Sequence, residues 1–419
     1  MMRLSTATAW LDWIATVHPK QIDLGLDRVR QVAVRLDLQK APCTTILVAG
    51  TNGKGSTVAG IDTIYREAHY RVGTFTSPFL YKPHEMVRIN GEMISDEAFC
   101  EAFLKVDAAR GTISLTPFEF QTLAALYALK QHSLDVWVLE IGLGGRLDAV
   151  NVLDADVAVI TSIDLDHMDY LGETREKIAL EKAGICRENT PLVCGDPDPP
   201  ASLKAYVKTH HVPFYGQDAQ FQYETNQADW SWSYQTVRYD HQPYTPLATQ
   251  NMSTVMMVMT LLQSRLPVHE TAIVAGLKKV SLPGRIQIMK GRVTRIFDVS
   301  HNPASVALLA SRLKTLPCQG KTLAVFSMLK DKSILQSIAL IAPLIDDWYT
   351  APLATPRTTT IDHLQMLFKQ QAISAVKAFP SIKEAYAAAQ QEASAGDRII
   401  VFGSFHTISE ALTTLPPLS

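Results

Sequence analysis

One uninterrupted passage, TILVAGTNGKGSTVAGIDTIYREAHY (residues 45–70), constrains the fold more than any other. Residues 45–49 read as a short buried strand. From Ser56 onward, Val58, Ile61, Ile64, Tyr65 and Ala68 share one helical face. Between them lie Gly50, Gly53, Lys54 and Gly55. A strand that turns through glycines straight into a helix implies a crossover unit and therefore a parallel sheet. Successive glycine amides can curl round a phosphate, a lysine adds a point charge, and the N-terminal end of the helix favours an anion. A tight strand-to-helix turn is the plain alternative. The usual phosphate-loop pattern has Ser or Thr after its lysine, as a magnesium ligand. Here Gly55 holds that place, so a metal would need ligands from elsewhere.

The alternation continues. RVGTFTSP (71–78), LDVWVLEIGLGG (134–145), DVAVITSI (156–163) and PLVCG (191–195) read as strands, and FEFQTLAALYALKQH (118–132) and TREKIALEKAGI (174–185) as helices. Residues 216–246 change to near-alternating aromatics, expected as antiparallel strands with Trp230 and Trp232 in a core. The apolar run 254–262 reads as a buried helix, being far too short to span a bilayer. LPGR (282–285) breaks the pattern, and a second, shorter strand–helix alternation follows. The expected fold class is therefore α/β: a P-loop-type mononucleotide-binding parallel-sheet domain over residues 1–283, and a smaller Rossmann-like α/β C-terminal domain over 284–419.

In such sheets ligands lie at the carboxyl ends of the strands. Ser77 follows the second strand, Glu140 ends an otherwise apolar one, and DLDHMD (164–169) places His167 among aspartates after another. Each alone is weak: a turn, a buried carboxylate, a solvated acidic loop. All three sit on the edge that carries Gly50–Ser56, and hard oxygens with one imidazole suit Mg²⁺ or Mn²⁺. Lys182, on periodicity alone, reads as a lysine on a helix surface. In the second domain Asp298 and His301 end the first strand, and Ser404 with His406 ends the last. Asp298 and Asn302 acting merely as helix caps is the plain reading there.

Bulk composition excludes several classes. A formal net charge of −2 gives no reason to expect nucleic acid or a membrane as partner. Five scattered cysteines without a C-x-x-C argue against a disulfide framework or a thiolate zinc site, and for a reducing, cytoplasmic location. The N-terminal stretch lacks an apolar signal core because Asp12 interrupts it.

GTNGKGST, TSPFL, FEF, LEIGLGGRLDAVN, DHMDYLG, EKAGI, LPGR, DVSHNP and FGSFHT occur in this order. In that series the chain resembles the folylpolyglutamate synthases, and within them the bifunctional bacterial dihydrofolate synthase/folylpolyglutamate synthase family, relatives of the Mur ligases. The resemblance covers about residues 20–410. It implies ATP phosphates held by Gly53, Lys54, Gly55 and Ser56, with Asn251, Arg285 and Asp298 at further ATP-contacting positions. It implies magnesium, as two ions, at Ser77, Glu140 and His167, and a carbamylated Lys182 supporting the second ion. The family's pterin pocket maps onto Asp23, Leu24, Gly25 and Leu26, onto Pro117, Phe118, Glu119 and Phe120, and onto Leu147, Asp148 and Ala149. His301 and Ser404 match positions associated with incoming glutamate; Lys54, Lys182 and His301 are the residues expected in catalysis.

The implied activity is ATP-dependent ligation of L-glutamate to dihydropteroate and to tetrahydrofolate through an acyl phosphate, by a monomer. A monofunctional folylpolyglutamate synthase is the alternative. Departures stand at Phe79 and Met86, where the bifunctional enzymes carry the His of S-P-H-L and the Arg of a later E-R. A Mur-type cell-wall ligase, a small-molecule kinase and a non-catalytic nucleotide-binding regulator are the rival readings.

Overall fold

A computed structural model describes residues 4–413. The chain divides into two compact units, one ending at Ser281 and the other beginning at Leu282. No helix among the described residues is long and apolar enough to cross a membrane.

The first unit is built on eight strands: Thr44–Ala49 (β1), Val72–Phe75 (β2), Val87–Ile89 (β3), Glu92–Met93 (β4), Val136–Glu140 (β5), Val157–Ile160 (β6), Leu192–Cys194 (β7) and Phe214–Gly216 (β8). Their order in the sheet is β4-β3-β2-β5-β1-β6-β7-β8. β2, β5, β1, β6, β7 and β8 are parallel, and the β3–β4 hairpin adds an antiparallel edge. β1 is central and buried at every position, as expected of a parallel strand covered on both faces. Leu47, Ala49 and Leu139 share a core with Phe99, Phe103 and Phe120. Those aromatics stand on the helices Asp96–Arg110 and Pro117–Lys130.

The helix that follows the glycine loop, Lys54–Glu67, is held by helices Thr249–Leu261 and Glu270–Lys279. Glycines make both approaches possible. A Cβ on Gly60 would lie 2.8 Å from Val255 Cγ2, and one on Gly276 would lie 2.9 Å from the Cα of Ile64. A small antiparallel sheet completes this unit: Phe221–Thr225 (β9), Trp230–Tyr234 (β10) and Val237–Gln242 (β11). Trp230 and Trp232 are both buried, which places the aromatic alternation in a core rather than on a base-stacking surface.

The second unit has six strands: Gln287–Met289 (β12), Thr294–Asp298 (β13), Thr322–Phe326 (β14), Asp347–Thr350 (β15), Val376–Ala378 (β16) and Arg398–Phe402 (β17). Their order is β12-β13-β17-β14-β15-β16, with β12 antiparallel and the rest parallel. Its core gathers Phe326, Trp348, Phe368 and Phe402.

Gly276 gives the fold a direct test. A side chain there meets the backbone of another helix, which cannot rotate away. Gly276→Val is expected to destabilise the first unit by about 2–3 kcal/mol through overpacking, read as a lower urea midpoint. An unchanged midpoint would show that helix Glu270–Lys279 can retreat at little cost.

Candidate active site

Parallel pairing sets the geometry. Val48 of β1 pairs with Glu140, Ala49 pairs with Ile160 of β6, and Phe75 of β2 pairs with Leu139. The four strands β2, β5, β1 and β6 therefore end side by side. Glu140, the last residue of β5, and the residues that follow the other three, Ser77, Gly50–Lys54 and Thr161–Ser162, occupy one edge.

The glycine loop is fastened from β6. Thr161 Oγ1 and Ser162 Oγ donate to the Asn52 carbonyl at 2.6 and 3.1 Å, and Ser162 Oγ accepts from the Asn52 N–H at 3.0 Å. Thr51 N donates to the Ser162 carbonyl at 2.8 Å. Thr161 and Ser162 were not singled out by sequence reasoning; a pair of hydroxyls directly after an apolar strand is the signal that points to them. Gly50 has φ 149° and Gly53 φ 88°. At Gly53 a Cβ would lie 2.4 Å from Asn251 Oδ1, so Asn251 rests directly on the loop. Lys54 Nζ donates to the Gly50 carbonyl at 3.1 Å, folding back over the loop it follows. Ser56 is buried inside the first turn of the helix.

Glu140 is 5% exposed, and its Oε2 accepts the Ser77 N–H at 3.2 Å. His167 is half-buried, has φ 50°, and donates its backbone N–H to Asp166 Oδ1 at 2.9 Å. Among the described residues no three His, Cys, Asp or Glu side chains form a metal-holding cluster. The donor types of Glu140, His167 and the Ser77 hydroxyl would suit a magnesium ion that takes its remaining oxygens from phosphate and water, the usual arrangement for that ion.

Lys182 is 2% exposed, which corrects the surface position read from periodicity. A distant segment packs on the backbone of its helix. Gly145 lies so close to helix Arg175–Ala183 that a Cβ would sit 2.8 and 2.9 Å from the Glu181 and Lys182 carbonyl oxygens. Arg146 N donates to the Glu181 carbonyl at 2.7 Å, and Asn151 Nδ2 donates to Arg146 O and Gly184 O at 3.1 and 3.0 Å. Burial first, then the nearby Lys54 charge, pulls the Lys182 ammonium down to about 7, against the pull of Asp166. Asp148 is buried too, and burial pushes its carboxyl up to about 7. The Leu143 and Val150 N–H groups, at 2.8 and 3.0 Å, and Lys54 oppose that rise.

The segments matched to a pterin pocket converge beside this edge. The Phe118 ring lies against Gly142, where a Cβ would come within 2.3 Å, and 6.1 Å from the Phe75 ring. Asp23 and Glu119 are joined through Arg28, whose Nη1 reaches Asp23 Oδ2 at 2.8 Å and Nη2 reaches Glu119 Oε1 at 2.9 Å. Leu24, Gly25, Pro117 and Leu147 are half-buried. Leu26, Phe120 and Ala149 are buried among apolar residues.

In the second unit Asp298 pairs in register with Phe402, so His301 and Ser404 follow adjacent strand ends. Asp298 does not cap the helix Pro303–Thr315; Asn302 does. Asp298 instead accepts from Ile286 N at 2.8 Å and Ser300 N at 3.0 Å, bracing the turn after Arg285. The Arg285 guanidinium stands 5.1 Å from the Phe405 ring centre. His301 Nδ1 lies 2.9 Å from the Val299 carbonyl. A carbonyl only accepts, so Nδ1 carries a proton, and in the neutral ring Nε2 would be the acceptor. Ser404 is the N-cap of helix Phe405–Leu412, accepting from Thr407 N.

Two family models match the chain: the Mur ligase middle domain over residues 48–252, and the Mur ligase glutamate ligase domain over 284–405. The dihydrofolate synthase/folylpolyglutamate synthase of Escherichia coli (strain K12) is 40% identical over 411 residues, covering 98% of this chain and 96% of the relative. The E. coli structure in complex with DHPP and ADP superposes with a TM-score of 0.93 at 40% identity, over 99% of this chain and 98% of that one. A bifunctional folylpolyglutamate synthase/dihydrofolate synthase with Mn, AMPPNP and L-glutamate bound gives 0.92 at 40% identity, over 99% of both chains. With two Mur ligase domains in order and this likeness along its whole length, the chain belongs to the dihydrofolate synthase/folylpolyglutamate synthase family.

Proposed function

We propose that this protein is an ATP-dependent ligase that joins L-glutamate to dihydropteroate, giving dihydrofolate, and to reduced folates, extending their glutamate tails. The observation that carries this reading is the whole-chain likeness to the bifunctional relatives at 40% identity. The solved relatives hold ADP with DHPP, and AMPPNP with Mn and L-glutamate. The first unit is read as the ATP and pterin unit, and the second as the glutamate-ligating one. A cytosolic location is part of the proposal, supported by five cysteines that are all free thiols.

A carboxylate must be activated before an amine displaces its oxygen. A carboxylate oxygen of the pterin substrate attacks the γ-phosphorus of ATP, the bond to ADP breaks, and an acyl phosphate forms. The glutamate α-amine then attacks the acyl carbon and loses a proton as phosphate leaves. The amides of Gly53, Gly55 and Ser56, with Lys54, are assigned to the phosphates, and Asn251 holds the loop that presents them. Charge grows on the transferred oxygens, and fixed donors aimed there are the largest catalytic term in such reactions. Magnesium at Ser77, Glu140 and His167 would neutralise the same charge. Arg285 and Asp298 are assigned to ATP, and His301 with Ser404 to glutamate; His301 Nε2 is suited to accept a hydrogen from the amine.

Lys182 is read as a carbamate. Its neutral Nζ attacks CO₂, a nitrogen–carbon bond forms, and a proton leaves, turning a cation repelled by Lys54 into an anion attracted to it and able to support a second magnesium.

The reaction itself is tested by ADP release with dihydropteroate or tetrahydrofolate, each with and without L-glutamate. Release with both pterins, only when glutamate is present, is expected. Release with tetrahydrofolate alone would make the protein a polyglutamylating enzyme only, and release without any amine would make it a kinase.

Lys54→Ala is expected to lower turnover by about 10²-fold or more, the scale of one lost oxyanion-type contact. Turnover near that of the unaltered protein would remove Lys54 from the phosphate site.

The carbamate needs a neutral amine, so a ¹³C-carbamate NMR signal from labelled bicarbonate should fade as pH falls through about 7, and be missing in Lys182→Ala. The same shift bears on stability. Between about 7 and the ordinary lysine value of 10.5 the unfolded chain binds this proton more tightly, so stability should rise with pH across that window. A carbamate signal that persists in Lys182→Ala would place the modification elsewhere.

A further inference from the structure

Asp23 and Glu119 fall in two segments matched to the pterin pocket, far apart in sequence. Both carboxylates are already engaged within the protein. Glu119 is 4% exposed; its Oε2 accepts the Thr116 N–H at 2.7 Å and Arg28 Nε at 3.3 Å, and its Oε1 accepts Arg28 Nη2 at 2.9 Å. Asp23 Oδ2 accepts Arg28 Nη1 at 2.8 Å, its Oδ1 accepts Lys20 Nζ at 3.1 Å, and its backbone carbonyl accepts Arg28 Nη2 at 2.5 Å. His18 Nε2 stands 3.6 Å from Oδ2. One guanidinium therefore makes contact with both segments, and it does so as a planar fork.

We infer that Arg28 is the positioning residue of the pterin pocket, clamping the 23–26 loop onto the start of helix Pro117–Lys130, with Asp23 and Glu119 serving as its anchors and not as ligands of the pterin. This inference rests on the pterin reading given above. On the residue next to Glu119 stands Phe118, whose ring packs on Gly142. A shift of that helix start would move the ring relative to the strand-end loop. The fork geometry matters more than the charge, because a lysine ammonium cannot hold a carboxylate, a carbonyl and a second carboxylate in one plane.

Arg28→Lys is the discriminating variant, since it keeps the charge beside the buried Glu119. The unaltered protein is first assayed with dihydropteroate, MgATP and L-glutamate; no turnover there would overturn the functional reading itself, before Arg28 is at issue. Given turnover, Arg28→Lys is expected to raise KM for dihydropteroate about 10-fold, the scale of a lost charge-assisted hydrogen bond. Its kcat and KM for MgATP should stay within about threefold. Asp23→Asn, which weakens one anchor and leaves buried Glu119 untouched, should shift the same KM in the same direction by a smaller factor. A general loss of fold would move all three constants together. An unchanged KM for dihydropteroate in both variants, or equal rises in the KM values for dihydropteroate and MgATP, would overturn the positioning role.

Discussion

The candidate site depends on the register of four parallel strands. Hydrogen bonding pairs Val48 with Glu140 and Ala49 with Ile160, and no side chain is free to change that without breaking a ladder. The consequence is that a glycine loop, a carboxylate, a Ser-Pro turn and a pair of hydroxyls end on one edge. β1 lies where the chain has laid strands to both sides of it, the switch point at which open parallel sheets hold their ligands. The order β2-β5-β1-β6 thus brings complementary chemistry to one edge: donors from the loop, an acceptor from Glu140, hydroxyls from Thr161 and Ser162.

Electrostatics then sort the residues on that edge. Lys54 and Lys182 are close enough for Lys54 to depress Lys182, and the second is buried. A buried ammonium near a like charge is costly unless it gives up its proton or gains an anion. Asp148 faces the mirror-image problem and is relieved by backbone N–H groups and by Lys54. Lys54 is therefore shared: it lowers one neighbour and helps the other to ionise, and a phosphate would compete for it with both.

Much of this was legible in the sequence, for reasons that differ by residue. Strand ends follow from apolar runs and the glycines after them, so Gly50–Lys54, Ser77 and Glu140 could be set on one edge from patterning alone. Trp230 and Trp232 were legible as core because alternating aromatics bury one face. Lys182 was not, because helical periodicity reports only the helix's own faces and says nothing of distant residues such as Gly145 and Arg146 that pack on that helix. Arg28 was missed because nothing local marks an arginine that bonds to a glutamate 91 positions away. Helix Asp96–Arg110 was unread because its charges are spread along it, and helix Ile361–Gln370 with β16 because a loop rich in threonine and proline precedes them.

The glycine contacts of helix Lys54–Glu67 carry a consequence for motion. Gly276 seats directly on the backbone of Ile64, and Gly60 lies against Val255 and Met252. A helix seated backbone against backbone at Gly276 has little room to slide. Under the proposed function, the element beneath the phosphates is thus an anvil, already in place before a nucleotide arrives. The loop in front of it is fastened as well, by Thr161 and Ser162 at Asn52 and by Asn251 at Gly53, so under the proposed function the entropy lost on binding is mainly that of the nucleotide.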